Sequence, residues 1–84
     1  RRVLTEIREY DAQNHTNLEQ TAIIYVKENM EIAAAAKELF QHPNTVRYRL
    51  SKIQRIMRME DDPLFAPMLS LTMSLSRILS ENQA

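Results

Sequence analysis

The sequence contains no glycine, no cysteine and no tryptophan, and these absences exclude several classes of function. Without cysteine there is no disulfide framework, no thiolate nucleophile and no cysteine-based metal site. Without glycine there is no glycine-rich loop of the kind that holds nucleotide phosphates. The two histidines, His15 and His42, lie far apart in the sequence, so they predict no metal site by themselves, and His15 is expected to be plain surface.

Long apolar runs are also missing. A membrane-spanning helix needs roughly 18 or more consecutive apolar residues, and no such run occurs here. No segment at the N-terminus has the charged, apolar and small-residue order of a secretion signal. We therefore expect a soluble, cytoplasmic protein. The first residue is Arg1 rather than methionine, and we expect the chain to be the C-terminal fragment of a longer protein.

The residues that are present favour helices throughout. The chain has 84 residues, only three prolines, and many Ala, Leu, Ile, Met, Glu and Arg residues. Such residues have high helix propensity, and no glycine interrupts them. The length suits one domain with a modest core. The sequence therefore predicts a single all-α domain over residues 1–84, a small bundle of about five helices.

The spacing of apolar residues sets approximate helix bounds. The predicted helices cover about 2–12, 16–28, 31–40, 43–57, and a last one that begins between Pro63 and Pro67 and ends near Ser80. Thr16 with Glu19 three places later fits a capping box for the second helix. Asp61 and Asp62 favour the positive N-terminal end of the last helix.

The fourth predicted helix begins at Pro43, where a proline suits the first helical position because its missing N–H would have had no partner. His42 is then the N-cap residue. Four apolar residues recur at i, i+4, i+7 and i+11 and predict the buried stripe: Val46, Leu50, Ile53 and Met57.

Charge is balanced overall but uneven along the chain. There are 11 basic and 11 acidic residues, yet the segment 41–59 carries five basic residues and no acid. The five are Arg47, Arg49, Lys52, Arg55 and Arg58. Because salt screens most interactions beyond about 10 Å, an anionic partner senses this local charge rather than the net charge of the chain. A solvated helix face is the simpler alternative.

A short alanine-rich helix, a tight turn and a basic helix together indicate a helix-turn-helix motif over about residues 31–57. In that motif the second helix enters the major groove of DNA. We predict that four residues read bases, namely Asn44, Thr45, Arg47 and Tyr48, and that three hold phosphates, namely Arg49, Lys52 and Arg55. The N-terminus of this helix is also a candidate phosphate site.

Structural roles remain open for several of these residues. Asn44 and Thr45 are also good residues for a first helical turn. Tyr48 is as consistent with packing as with DNA contact. Arg49 lies close to the buried stripe, so an ion pair with Glu38 is an alternative to a phosphate contact. His42 is expected to be a structural cap rather than a base reader.

The segment AAAAKELFQHPNTVRYRLSKI resembles the C-terminal helix-turn-helix of the purine catabolism regulator and sugar diacid regulator (PucR/CdaR-like) type of bacterial transcription factors. The matching residues are Ala36, Leu39, Phe40, His42, Asn44, Thr45, Tyr48, Arg49 and Leu50, with Leu18, Thr21 and Tyr25 upstream. The resemblance implies a DNA-binding output domain that follows a sensory domain absent from this chain. Two departures stand out, because relatives often have Arg at the place of Pro43 and glycine after the basic helix, where this chain reads RIMRMEDD.

The last predicted helix is more apolar than one buried stripe requires, and its polar side is mostly serine. Leu69, Met73, Ser76 and Ser80 predict a second seam that pairs with another copy or with the missing domain. A purely internal core helix is the alternative. Since helix-turn-helix proteins commonly bind paired half-sites, we expect a homodimer.

Two functions from different classes therefore remain. The first is sequence-specific binding of double-stranded DNA by a bacterial transcriptional regulator. The second is a helical interaction or oligomerisation module whose basic helix binds an acidic partner. We find no nucleophile–base pair, metal cluster or phosphate loop, so the sequence predicts neither an enzyme nor a cofactor.

Overall fold

The computed structural model describes residues 2–83, and within them the chain forms five α-helices and no strand. They are α1 (Arg2–Asn14), α2 (Leu18–Lys27), α3 (Ile32–Leu39), α4 (Pro43–Met57) and α5 (Phe65–Gln83). The predicted all-α bundle with a helix-turn-helix is confirmed. None of these helices combines the length and the apolar character that crossing a bilayer requires.

The core forms where α2 meets the other helices. The stripe predicted for α4 is buried as expected, with Val46 and Ile53 fully enclosed. Ala35 and Ala36 of α3 are also buried, and their small side chains let α3 approach its neighbours closely. α2 packs against all four other helices, so it holds α3 and α4 on one part of the bundle and α5 on another.

The start of α2 is capped differently from the prediction. Thr16 and Glu19 do not form a capping box, because Asp11 at the end of α1 takes that role. Its Oδ1 accepts hydrogen bonds from the Thr16 hydroxyl at 2.6 Å and from the Leu18 N–H at 2.8 Å. Its Oδ2 accepts from the Glu19 N–H at 3.0 Å. The side chain of Glu19 is thereby free to bind elsewhere.

Glu19 instead joins three helices. Its carboxylate accepts hydrogen bonds from Nε of Arg8 on α1 at 3.1 and 3.2 Å, and from the hydroxyl of Ser76 on α5. This network is partly buried. It ties α5 to α1 and α2.

α5 begins at Phe65, between the two prolines that bracketed its predicted start. Asp62 lies in the preceding turn, where Oδ1 accepts from the Leu64 N–H at 2.9 Å, rather than in the first turn of the helix. The predicted pairing seam on α5 is wrong. Leu69, Met73 and Ser76 are at most 2 % exposed and pack into this domain's own core, so only Ser80 of the four is available to a partner.

Helices end here without glycine. Phe40 after α3 and Arg58 after α4 both take the left-handed conformation, with φ of 56°. In each case the next residue's N–H bonds back to the carbonyl five places earlier, Gln41 to Ala36 and Met59 to Gln54, both at 2.9 Å. These are Schellman closures, which usually place glycine in the left-handed position. Arg58 thus takes the left-handed position after α4 in place of a glycine, and the chain still reverses there.

Candidate nucleic-acid interface

The turn between α3 and α4 presents the start of α4 to solvent. His42 is the N-cap residue, and its Nδ1 accepts a hydrogen bond from the Asn44 N–H at 3.0 Å, which confirms the predicted structural role. The N–H groups of Thr45 and Val46 both bond to the His42 carbonyl. Pro43 has no N–H at all. The backbone donors at the start of α4 therefore already have acceptors within the domain, so a phosphate there would have to displace the His42 cap, and the phosphate site stays a prediction.

The outward face of α4 carries Asn44, Arg47 and Arg55, all of them exposed. Arg47 donates from Nη1 to Oδ1 of Asn44 at 2.7 Å, one helical turn away. This contact orients the guanidinium along the helix surface. It also leaves the Nδ2 amino group of Asn44 and the remaining N–H groups of Arg47 available to a ligand. Thr45 lies beside this pair and is half-buried.

Arg49 points away from that face and towards α2. Its Nη1 donates to Oγ1 of Thr21 at 3.1 Å, and Thr21 is fully buried. The alternative ion pair with Glu38 does not form, since Glu38 is bound to Lys27 at 2.7 Å. Arg49 therefore ties α4 to α2. Of the seven residues predicted to contact DNA, it is the one whose predicted role has the least support.

Tyr48 and Lys52 form an aromatic and cationic cluster on the flank of α4. The Lys52 ammonium lies 5.6 Å from the ring centre of Tyr48 and 5.4 Å from that of Tyr10 on α1. Both distances suit cation–π attraction. Hydrogen bonding to Tyr10 is the largest cause that raises the pKa of Lys52, with Tyr48 adding to it. Tyr48 is 60 % exposed, so it is not a core packing residue.

A hollow of about 330 Å³ separates this flank of α4 from the corner between α1 and α2. Its lining residues are Tyr10, His15, Thr16, Asn17, Leu18, Thr45, Tyr48, Arg49 and Lys52. They supply cations, hydroxyls and an amide, and no carboxylate is among them. Sequence reasoning missed Tyr10 and Asn17 and assigned His15 to plain surface. Only the polar run DAQNHTN, which covers the last turn of α1 and the connection to α2, signalled a corner, and nothing in it indicated which helix the corner would face.

The basic residues of α4 are left unneutralised. In the part of the chain that the structure describes, ion pairs join Arg8 to Glu19 and Lys27 to Glu38, and none involves Arg47, Arg49, Lys52, Arg55 or Arg58. Arg47, Arg55 and Arg58 are exposed, while Lys52 lies in the flanking cluster. One side of the domain therefore carries positive charge without an internal counter-charge. That is the electrostatic character of a surface that binds polyanions.

Comparison with known proteins assigns the fold to a family. The chain matches the model of the PucR C-terminal helix-turn-helix domain over residues 18–73, which spans α2, α3, α4 and the first half of α5. No curated protein and no solved structure matches the chain. The match covers more than half of the sequence and includes the whole helix-turn-helix. This chain belongs to the PucR C-terminal helix-turn-helix domain family.

Proposed function

We propose that this domain binds double-stranded DNA in a sequence-specific manner, with α4 lying in the major groove. The observation that carries the proposal is the set of basic side chains on α4, none of which is paired with a carboxylate in the described residues. An exposed Asn44–Arg47 pair lies near the start of the same helix. Asn can bond adenine bidentately and Arg can bond guanine in the same manner. Thr45 and Tyr48, on the adjoining surface, are the other proposed base contacts.

The flanks of α4 suit the two DNA backbones. Arg55 projects from the outward face, and Lys52 lies in the hollow beside His15 and Asn17. A helix that enters the major groove has a phosphate strand on each side, and the loop between the preceding helices often touches one of them. We assign Lys52 and Arg55 to phosphates and add the α1–α2 corner to the contact surface. Arg49 adds positive charge nearby but acts mainly within the fold.

The family supports a role as the output domain of a bacterial transcriptional regulator. In that role the domain follows a sensory domain, works in the cytoplasm where the DNA is, and binds paired half-sites as a homodimer. It requires no cofactor and no catalytic group. Its role is to place the regulator at a specific DNA sequence.

The proposal can be tested by fluorescence anisotropy with a pool of random-sequence duplexes over a salt series. The wild type should bind with an affinity that falls steeply with salt, because each phosphate contact releases counterions. Arg47→Ala should weaken binding by about 1–3 kcal/mol at the matching base. Sequencing the bound pool would then give the operator. Arg77→Ala is the matched control, since it removes the same charge from the exposed surface of α5.

The same assay separates DNA binding from the alternative of an acidic protein partner. Polyglutamate offers negative charge without bases. It should compete poorly with a selected duplex if the domain reads bases. It should compete as well as a duplex does only if recognition is electrostatic alone. Arg47→Glu should abolish duplex binding. A folded wild-type domain that binds no duplex at low salt would refute the proposal and favour the interaction module.

A further inference from the structure

α5 carries a second apolar stripe that its own domain leaves uncovered. Leu64 directly before α5, and Met68, Leu71, Leu75 and Ile78 on it, are 40–60 % exposed. Their positions alternate by four and three residues, which is the heptad spacing of a helix that pairs with another helix. The buried residues of α5, including Leu69, Met73 and Ser76, lie on a different side. The two sets are therefore separate surfaces of one helix.

We propose that this stripe pairs with the same stripe of a second copy, so that two α5 helices pack antiparallel about a two-fold axis near Leu71. The inference deepens the paired DNA binding proposed above, but its test needs no DNA. It also replaces the seam that the sequence predicted with one that the domain leaves exposed.

The spacing of the stripe makes it self-complementary. A two-fold interface uses the same patch on both copies. Each apolar residue before the axis must therefore meet an apolar residue that lies about as far after the axis on the partner. Counted from Leu71, the stripe extends seven residues to Leu64 in one direction and seven to Ile78 in the other, with Met68 and Leu75 between. An antiparallel pair centred on Leu71 therefore sets Leu71 opposite its own copy and Leu64 opposite Ile78. Met68 and Leu75 lie three and four residues from the centre, so each is one residue from the other's mirror position and the two pack side by side.

The area is sufficient for a specific but modest interface. With Leu79 beside it, which is 44 % exposed, the stripe offers roughly 500 Å² of apolar surface per copy, the size of the largest patch on a typical monomer, which is often functional. Complete coverage of the stripe on both copies would remove at most roughly 1,000 Å² in total, which is at the lower bound for a biological interface. The stripe also borders an apolar groove of about 360 Å³, where Leu75 and Ile78 of α5 face Val3 and Leu4 of α1. A partner side chain can enter this groove.

Charge favours the antiparallel arrangement. Arg77 is the only charged residue between Pro63 and Ser80, so the contact region itself contains almost nothing to repel a copy. The acids Glu60, Asp61 and Asp62 precede the stripe. A parallel pair would bring the two acidic clusters together. An antiparallel pair instead keeps the two clusters at opposite ends, where each meets only the segment around the partner's Glu81, and it also opposes the helix dipoles favourably.

The pairing leaves the recognition surface free. α5 packs on α1 and α2. The stripe lies on α5 and the residue before it, whereas the proposed DNA contacts lie on α4 and at the α1–α2 corner, so the two surfaces share no residue. Two copies joined through α5 would hold two α4 helices in one particle. Linking two binding modules raises the affinity for a paired site by the effective concentration of the second module.

Sedimentation equilibrium of the 84-residue domain tests the proposal. We expect a reversible dimer in the range of about 1–300 µM, as suits an interface of this size. Leu71→Glu should raise the dissociation constant at least about tenfold, because it buries a charge at the centre of the contact. Gln13→Glu adds the same charge to an exposed position of α1 away from the stripe and should leave the dimer intact. Circular dichroism checks that both variants remain folded.

Disulfide trapping tests the geometry, and the absence of native cysteine makes each product unambiguous. Leu71→Cys should cross-link to itself on oxidation. Leu64→Cys should cross-link to Ile78→Cys in a mixture but not to itself. A domain that stays monomeric throughout the concentration range, or a dimer that Leu71→Glu does not weaken, would overturn the proposal. Self-linked Leu64→Cys would overturn the antiparallel arrangement. Duplex binding by a strictly monomeric domain would leave the proposed function standing and remove only this inference.

Discussion

Arg49 on α4 donates a hydrogen bond from Nη1 to Oγ1 of Thr21 on α2, across 3.1 Å and 28 positions of sequence. Thr21 is fully buried and uses its own hydroxyl hydrogen to bond the Asn17 carbonyl at 2.8 Å. The guanidinium of Arg49 therefore completes a buried polar group and fixes α4 against the helix that supports it. Both residues belong to the set through which the sequence resembles its family.

This contact predicts that Arg49 contributes more to stability than to DNA binding. Arg49→Ala should lower the free energy of unfolding by about 1–2 kcal/mol, since the hydrogen bond and the packing of the side-chain stem are both lost. The slope of affinity against salt should change much less than it does for Arg55→Ala, which should flatten it by about one unit. Urea denaturation and salt-dependent anisotropy measure the two effects. If Arg49→Ala instead flattens the salt slope by a full unit and leaves the free energy of unfolding unchanged, Arg49 is a phosphate contact.

Arg47 and Asn44 are already in contact before any ligand binds, at 2.7 Å. The two residues should therefore act as a unit, and their substitutions should not be additive. Arg47→Ala, Asn44→Ala and the double variant form a cycle on the selected duplex. We expect each single change to cost about 1–3 kcal/mol of binding and the double change to cost less than the sum. Strict additivity would mean that the contact is lost when DNA binds.

Asp11 caps α2 from the preceding helix, and its loss should be felt as lost stability. Asp11→Ala removes the acceptor of two N–H groups and of the Thr16 hydroxyl. Loss of a helix cap costs about 0.5–2 kcal/mol. Thermal unfolding measures the change, and Thr16→Ala is the matched control, since it should cost less if Asp11 is the principal cap. An equal or larger cost for Thr16→Ala would restore the capping-box interpretation.

Phe40 and Arg58 hold left-handed positions that glycine would occupy with less strain. Phe40 is 93 % exposed, so its side chain contributes little packing within the domain. Phe40→Gly and Arg58→Gly should each raise the free energy of unfolding by about 1 kcal/mol, because the steric cost of the left-handed conformation is removed. Phe40→Ala, which keeps the strain, is the control and should not stabilise. A glycine variant less stable than wild type would indicate packing that the exposure does not reveal.

The sequence by itself determined the fold class, the number of helices and the helix-turn-helix. These are local properties: propensity, the absence of glycine, and apolar spacing that recurs within one helix, as in Val46, Leu50, Ile53 and Met57. The cap of α4, which depends only on the neighbouring residues His42 and Asn44, was equally accessible. The capping box predicted from Thr16 and Glu19 was not, because Asp11 of another helix caps α2. A local run of basic residues also indicated which helix meets an anionic partner.

Tertiary structure decided which face of each helix is buried and which residues of other helices contact it. Nothing in the order of residues indicated that Asp11 would cap α2, that Arg49 would turn inward to Thr21, or that the corner carrying His15 would face Lys52. α5 shows the reason most clearly. Its apolar residues cover more than one face, so periodicity allows two choices of buried stripe, and only the position of α1 and α2, with Glu19 held to Ser76, selects Leu69 and Met73 for the core and leaves Leu71 and Leu75 outside.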